Sequence, residues 1–97
     1  MKRLVFSKDS NYDLRDAVDF YDSKQSGLGE RFFSNLSEKI EKIKSNPLHY
    51  AIRYKEVRCA KIDNFPFMVH FIVSDDDIII IGIIHTSRNP QLWKERK

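Results

Sequence analysis

The spacing of apolar side chains changes period twice along the chain. A short apolar run in RLVFS (3–7) reads as a strand, and DSNYDLRDAVDFYDSKQ (9–25) then turns helical. There Leu14, Ala17, Val18 and Tyr21 recur at three- and four-residue spacing and make one apolar face. Asp13, Asp16, Asp19 and Asp22 keep the same period on another face, and the cost of burying unpaired carboxylates predicts that this face is solvated. In SGLG (26–29), Gly27 and Gly29 are expected to interrupt the helix with backbone angles closed to other residues. A longer helix comes next in LGERFFSNLSEKIEKIKSNP (28–47), striped by Leu28, Phe32, Leu36, Ile40 and Ile43 with Phe33 beside the stripe, and stopped at Asn46 and Pro47. The two helices are expected to pair as an antiparallel hairpin. Their apolar stripe reads as core, because a free apolar face must be buried against something.

From Tyr50 onward the period is two. YAIRYK (50–55) and VRCAKID (57–63) have the pattern of modest strands, FMVHFIVS (67–74) of a strong one and DIIIIGIIHTS (77–87) of a stronger one, with the polar SDDD (74–77) turning the last two into a hairpin. Residues 78 to 84 are apolar on both faces, which predicts a central strand covered on both sides. The second cover is either the short terminal segment PQLWKER, as one or two helical turns, or a bound partner chain. The expected fold is α+β: a two-helix hairpin on a curved, mainly antiparallel sheet of about four strands, in the order β-α-α-β-β-β, with a short C-terminal helix.

Ninety-seven residues allow one hydrophobic core, so residues 1–97 are expected to form a single domain. The single Cys59 forms no internal disulfide, and the apolar run after Met1 ends too soon for a signal peptide. The run from Ile78 to Ile84 is too short to span a membrane. Together these point to a cytoplasmic protein with no membrane partner. The formal charge is +3, from 17 Lys plus Arg against 14 Asp plus Glu, a weak bias toward anionic partners. The last four residues, KERK, contribute +2 of it, which places the electropositive surface on the C-terminal half.

Most catalytic signatures are missing: there is no GxxxxGK phosphate loop, HExxH zinc site, cysteine pair or GxSxG elbow. His49, His70 and His85 are scattered, and no metal or cofactor is expected from them, although His70 and His85 fall on adjacent predicted strands. Cys59 on its predicted strand reads as a small buried hydrophobe. Arg53, Lys55, Arg58 and Lys61 lie on the two modest strands; Arg53 and Lys55 share a parity, while Arg58 and Lys61 do not. Guanidinium groups on a sheet surface match phosphate oxygens, and a metal-free ribonuclease would use them to stabilise its transition state while a His or Tyr moves protons. Arg58 and Arg88 are the candidates for charge, and His85 or His70 for proton transfer; an ordinary solvated strand edge is the competing reading. Trp93 either pins the terminal helix to the sheet or serves as an exposed anchor.

YDSKQSGLGERF (21–32), NP (46–47), FPF (65–67) and HTSRNPQLW (85–93), in this order and spacing over about residues 12 to 93, resemble the RelE/ParE toxin superfamily of type II toxin–antitoxin pairs, closer to its ParE and plasmid-stabilisation branch. The resemblance implies a RelE/ParE-like fold and two rival activities. RelE-like members are ribosome-dependent endoribonucleases that cut messenger RNA, which would make Arg58, His85 and Arg88 catalytic here; yet no Tyr comes after Tyr54, so the terminal tyrosine of that pattern is absent. ParE-like members poison DNA gyrase through protein contacts, share the His and Arg of HTSR and the Pro and Trp beyond it, and have no catalytic centre of their own. This second branch is the expectation, with Arg53, Arg58, Ile81, Arg88, Trp93 and Arg96 as partner-binding residues and a cognate acidic antitoxin covering the open sheet face and the groove by the helices. A degenerate toxin that only binds its antitoxin is a third possibility.

Overall fold

The computed structural model describes residues 2–87. The elements are β1 (Arg3–Phe6), α1 (Lys8–Lys24), α2 (Leu28–Ser45), a single 3-10 turn at Pro47–His49, β2 (Ile52–Tyr54), β3 (Val57–Lys61), β4 (Phe67–Val73) and β5 (Asp77–His85). Ser7 starts α1: its side-chain oxygen accepts from the Ser10 amide at 3.1 Å, satisfying one of the amides that a helix start leaves unpaired. Gly27, at φ 87°, reverses the chain between the helices. Pro47 lies beyond the end of α2 and sets the start of the 3-10 turn.

The strands form one sheet in the order β1-β5-β4-β3-β2. β5 is paired on both edges, parallel to β1 and antiparallel to β4. Its isoleucines are buried on both faces, Ile78, Ile80 and Ile83 in the core under the helices and Ile81 and Ile84 outside that cluster, in keeping with a segment that carries no polar side chain. Along β4, Phe67, Val69, Phe71 and Val73 join the core against the helices, while Met68, His70 and Ile72 alternate onto the opposite face. A bulge in β5 sets His70 opposite Gly82 but Phe71 opposite Ile80, leaving Ile81 as the extra residue. The bulge shifts the side-chain parity, so Ile78, Ile80 and Ile83 all enter the helix-side core. Phe32, Leu36, Ile40 and Ile43 of α2 fill that core as the stripe predicts. Phe32 is seated among Tyr21, Phe65 and Phe67, with ring centroids 5.4, 5.2 and 5.1 Å away.

The α+β hairpin-on-sheet architecture matches the expectation, with one strand more than the expected four. YAIRYK and VRCAKID are two separate strands, β2 and β3, joined by a tight turn in which Lys55 adopts φ 48°. Two local readings need correction. Gly29 does not interrupt a helix; it lies inside α2, where a Cβ would stand 2.5 Å from the Val18 carbonyl oxygen, so its role is close helix–helix approach. The aspartates of α1 are not a uniformly solvated row: Asp13 Oδ2 accepts from the Ile83 amide at 3.0 Å, and Asp22 Oδ1 accepts from the Gly29 amide at 2.9 Å. The expected C-terminal helix falls outside the described residues.

Candidate functional site

On the sheet face away from the helices, β2, β3, β4 and the end of β5 surround a cavity of about 130 Å³ lined by Arg53, Cys59, Met68, His70, Ile84, His85 and Thr86. The register creates it: Cys59 stands opposite His70, and Lys61 opposite Met68, so the odd positions of β3 share a face with the even positions of β4. His70 is only 3 % exposed. Its Nδ1 is 2.9 Å from the Tyr54 hydroxyl and 3.5 Å from Cys59 Sγ, and these contacts fix the ring. Burial pushes the Cys59 thiol up to about 11, against an opposing pull from the positive charge of Arg53. A thiol held neutral in this way is no nucleophile.

His85 ends β5 opposite Phe67, and its ring meets the Phe67 ring edge-to-face at 5.3 Å. The Ser87 amide, which can only donate, lies 3.1 Å from His85 Nδ1, so the neutral ring carries its proton on Nε2. The Ser87 hydroxyl is 2.7 Å from the same nitrogen. His85 also borders a second cavity of about 170 Å³ on the helix side, where Asp13, Asp16, Ala17, Phe20, Phe67 and Ile83 complete the lining.

The residues singled out in the sequence are dispersed. Arg53 is exposed on β2 at the first cavity. Arg58 has the parity of the helix-side core, and its Nη1 donates to the Tyr50 carbonyl at 2.7 Å. Arg58 pairs with Phe71 and His85 with Phe67, which puts them about 13 Å apart along β4. Ile81, at the bulge, is 8 % exposed. Arg88, Trp93 and Arg96 lie outside the described residues. His70 and His85 do share one cavity, as their adjacent strands suggest. No group of three or more His, Cys, Asp or Glu side chains among the described residues is placed to hold a metal ion.

The helical hairpin carries a different kind of surface. A groove of about 190 Å³ is lined by Leu4, Phe6, Leu14, Phe33, Leu36 and Ile40, with Ser37 and Glu41 at its rim. It adjoins an open hollow lined by Asn11, Leu14, Arg15, Val18 and Phe33. Phe33 is 51 % exposed, and Tyr12 and Phe20 of α1 are 63 % and 52 % exposed.

Residues 4–90 match the family model described as the ParE toxin of the type II toxin–antitoxin system parDE. The chain belongs to the ParE toxin family. This places it in the RelE/ParE superfamily, on the ParE-like branch. No curated protein matches the ParE-family chain in sequence. Among solved structures, it is similar to a chain from "Chromosomal ParDE TA system from P. aeruginosa", with a TM-score of 0.80 at 19 % identity, covering 90 % of this chain and 98 % of that one. At that identity the likeness speaks for the fold. No described helix is long and apolar enough to cross a membrane.

Three contributors to these sites escape a reading of the sequence. Tyr54 reaches His70 across a two-strand separation, Thr86 enters the cavity from beyond β5, and Asp13 ties α1 to the β5 backbone. The period of the pattern signals none of them, because each depends on strand register or on the seating of α1.

Proposed function

We propose that this ParE-family chain is the toxin of a type II pair, that it acts by protein contact on DNA gyrase, and that a cognate acidic antitoxin neutralises it. The observation that carries the reading is the helical hairpin, which presents Phe33 half exposed in an apolar groove and also leaves the rings of Tyr12 and Phe20 exposed elsewhere on α1. Aromatic side chains on such a surface are the usual anchors of protein interfaces, and contiguous exposed apolar surface marks a site of association. The groove suits the apolar face of an antitoxin helix, and the +3 charge favours an acidic one. Arg53, Arg58, Ile81, Arg88, Trp93 and Arg96 remain the proposed partner contacts, with Ile81 reached only after local opening of β5.

The separation of Arg58 from His85 speaks against the messenger-RNA nuclease reading, which needs charge stabilisation and proton transfer at one phosphate. The test is supercoiling of relaxed plasmid by gyrase in the presence of the purified, antitoxin-free chain, with detergent and protease treatment afterwards to reveal trapped cleavage. Inhibition with linear DNA is the expected outcome. An unaffected gyrase, with messenger RNA cut on ribosomes and the cutting lost in Arg88→Ala, would replace this reading with the nuclease. Folded protein that binds its antitoxin and affects neither target would make it a degenerate toxin.

A further inference from the structure

We propose that His85 and Ser87 form a pH-sensitive latch at the end of β5: the neutral imidazole holds the turn by which the chain leaves the sheet, and protonation of the ring releases it. This goes beyond the gyrase reading, which requires no titrating group.

The latch copies a turn that asparagine and aspartate usually close. β5 ends at His85, and the Ser87 amide, two residues on, donates to Nδ1 at 3.1 Å. In an Asx turn a side-chain oxygen takes the place of that ring nitrogen and accepts from the same amide. The Thr86 amide still belongs to the sheet, since it donates to the Pro66 carbonyl at 2.8 Å and extends the β4–β5 pairing by one residue. The next amide is carried by the His85 side chain instead. The ring itself is seated, half-buried and edge-to-face on Phe67 at 5.3 Å.

The chemistry of the ring makes this hold conditional on charge. Neutral imidazole has one lone pair, here on Nδ1, and both the Ser87 amide and the Ser87 hydroxyl, 2.7 Å away, lie within hydrogen-bond reach of it. Nε2 already carries a proton, so a proton taken from solvent goes to Nδ1 and the lone pair is lost. The two Ser87 groups then behave differently. The hydroxyl can rotate and accept from the new Nδ1–H, because it is donor and acceptor alike. The amide has no such option, and two N–H groups facing each other at 3.1 Å repel. The Ser87 amide therefore swings away, and the backbone of residues 86 and 87 changes with it.

The groups around the ring decide where the new charge lies. From α1, Asp13 and Asp16 border the helix-side cavity that His85 shares with Phe67. From the other face, Arg53 of β2, Cys59 of β3 and His70 of β4 border the second cavity that His85 touches. The contact with Phe67, a residue of the core under the helices, seats the ring toward α1, so the positive charge forms beside two carboxylates rather than among apolar groups alone. Histidine is the side chain whose ordinary charge change falls near neutral pH, which makes the device responsive to mild acidification.

The experiment is a pH titration of the isotopically labelled full chain by nuclear magnetic resonance, from about pH 8 to about pH 5, the range in which an imidazole changes charge. The ring nitrogens of His85 should show the Nε2–H tautomer at the basic end. The Cα and Cβ shifts of Thr86 and Ser87, which report backbone angles, should change in step with the protonation of His85. His85→Asn, which can close an Asx turn without titrating, should keep the basic-end shifts of both residues at every pH. His85→Phe keeps a ring for Phe67 but offers no acceptor, and should show the acid-end shifts throughout. A neutral ring with its proton on Nδ1, or Thr86 and Ser87 carbon shifts that stay constant while His85 titrates, would overturn the proposal. So would carbon shifts that follow the titration of His70 instead, or a pH response that persists in folded His85→Asn. The titration involves neither gyrase nor antitoxin, so its failure is distinguishable from failure of the proposed function.

Discussion

The Cys59 thiol is pushed up to about 11 from an ordinary 9.0 because it is desolvated between β3 and β4. The folded value lies above the unfolded one, so ionisation favours the unfolded chain. The contribution of the neutral thiol to stability is therefore complete below about pH 9 and is lost as pH rises toward 11. Urea unfolding at intervals from pH 8 to 11 should show this alkaline loss, and Cys59→Ala should flatten it. At Asp13 the expected effect is mechanical. Its carboxylate accepts the Ile83 amide, so Asp13→Ala leaves a partly buried N–H without that acceptor and should cost about 1–3 kcal/mol, most of it recovered in Asp13→Asn, which keeps a side-chain oxygen. Chemical denaturation of the three proteins checks the order. The residue types of both sites were visible in the sequence. That Arg58 and Lys61 take opposite faces was visible as parity, whereas the shared parity of Arg53 and Lys55 did not put them on one strand face, because β2 ends at Tyr54 and Lys55 lies in the turn at φ 48°. That Asp13 reaches β5 was not visible, since nothing local distinguishes it from Asp16 or Asp19.

The two glycines of the helical hairpin separate two physical roles that look alike in SGLG. Gly27 sits at φ 87° with open space where a Cβ would go, so Gly27→Ala should cost only the conformational penalty of about 1–2 kcal/mol. Gly29 has ordinary helical angles, but its Cβ would meet the Val18 carbonyl at 2.5 Å and the Asp22 carboxylate at 2.8 Å. Gly29→Ala should force α1 and α2 apart, lose the Asp22 cap on the α2 amide, and cost about 1–3 kcal/mol. Thermal unfolding should place Gly29→Val below Gly29→Ala, since a larger side chain widens the same clash, whereas Gly27→Asn should be milder than Gly27→Ala, since Asn tolerates the left-handed region. Among the strands, β5 announced its central position through apolar residues on both faces. The bulge at Ile81 did not announce itself, because an extra residue in a run of isoleucines leaves the composition unchanged while reversing the parity of the residues beyond it.

For the whole molecule, the helix-side core is closed while the hairpin groove, with the half-exposed Phe33 ring in it, remains open. A ligand that binds only the folded state raises apparent stability with the logarithm of its concentration. Under the proposed function, the thermal midpoint should therefore rise progressively with added cognate antitoxin. Phe33→Asp, placed at the groove and half exposed, should abolish most of that rise while barely changing the midpoint of the free chain. Calorimetric scans with and without antitoxin check both parts.

The periods of the pattern determined the class of fold by themselves: a 3.6-residue stripe on each of two helices and alternation in the strands leave few ways to bury both kinds of apolar face. The motif spacing carried the family. Tertiary structure alone decided that β1 joins β5 in parallel, that Gly29 is a contact point, and that Arg58 and His85 stand apart while Arg53, His70 and His85 border one cavity. The physical reason is the range of the forces involved. Periodicity records burial, which each residue reports locally; register, bulges and helix seating arise from contacts between distant segments, and no single segment encodes them.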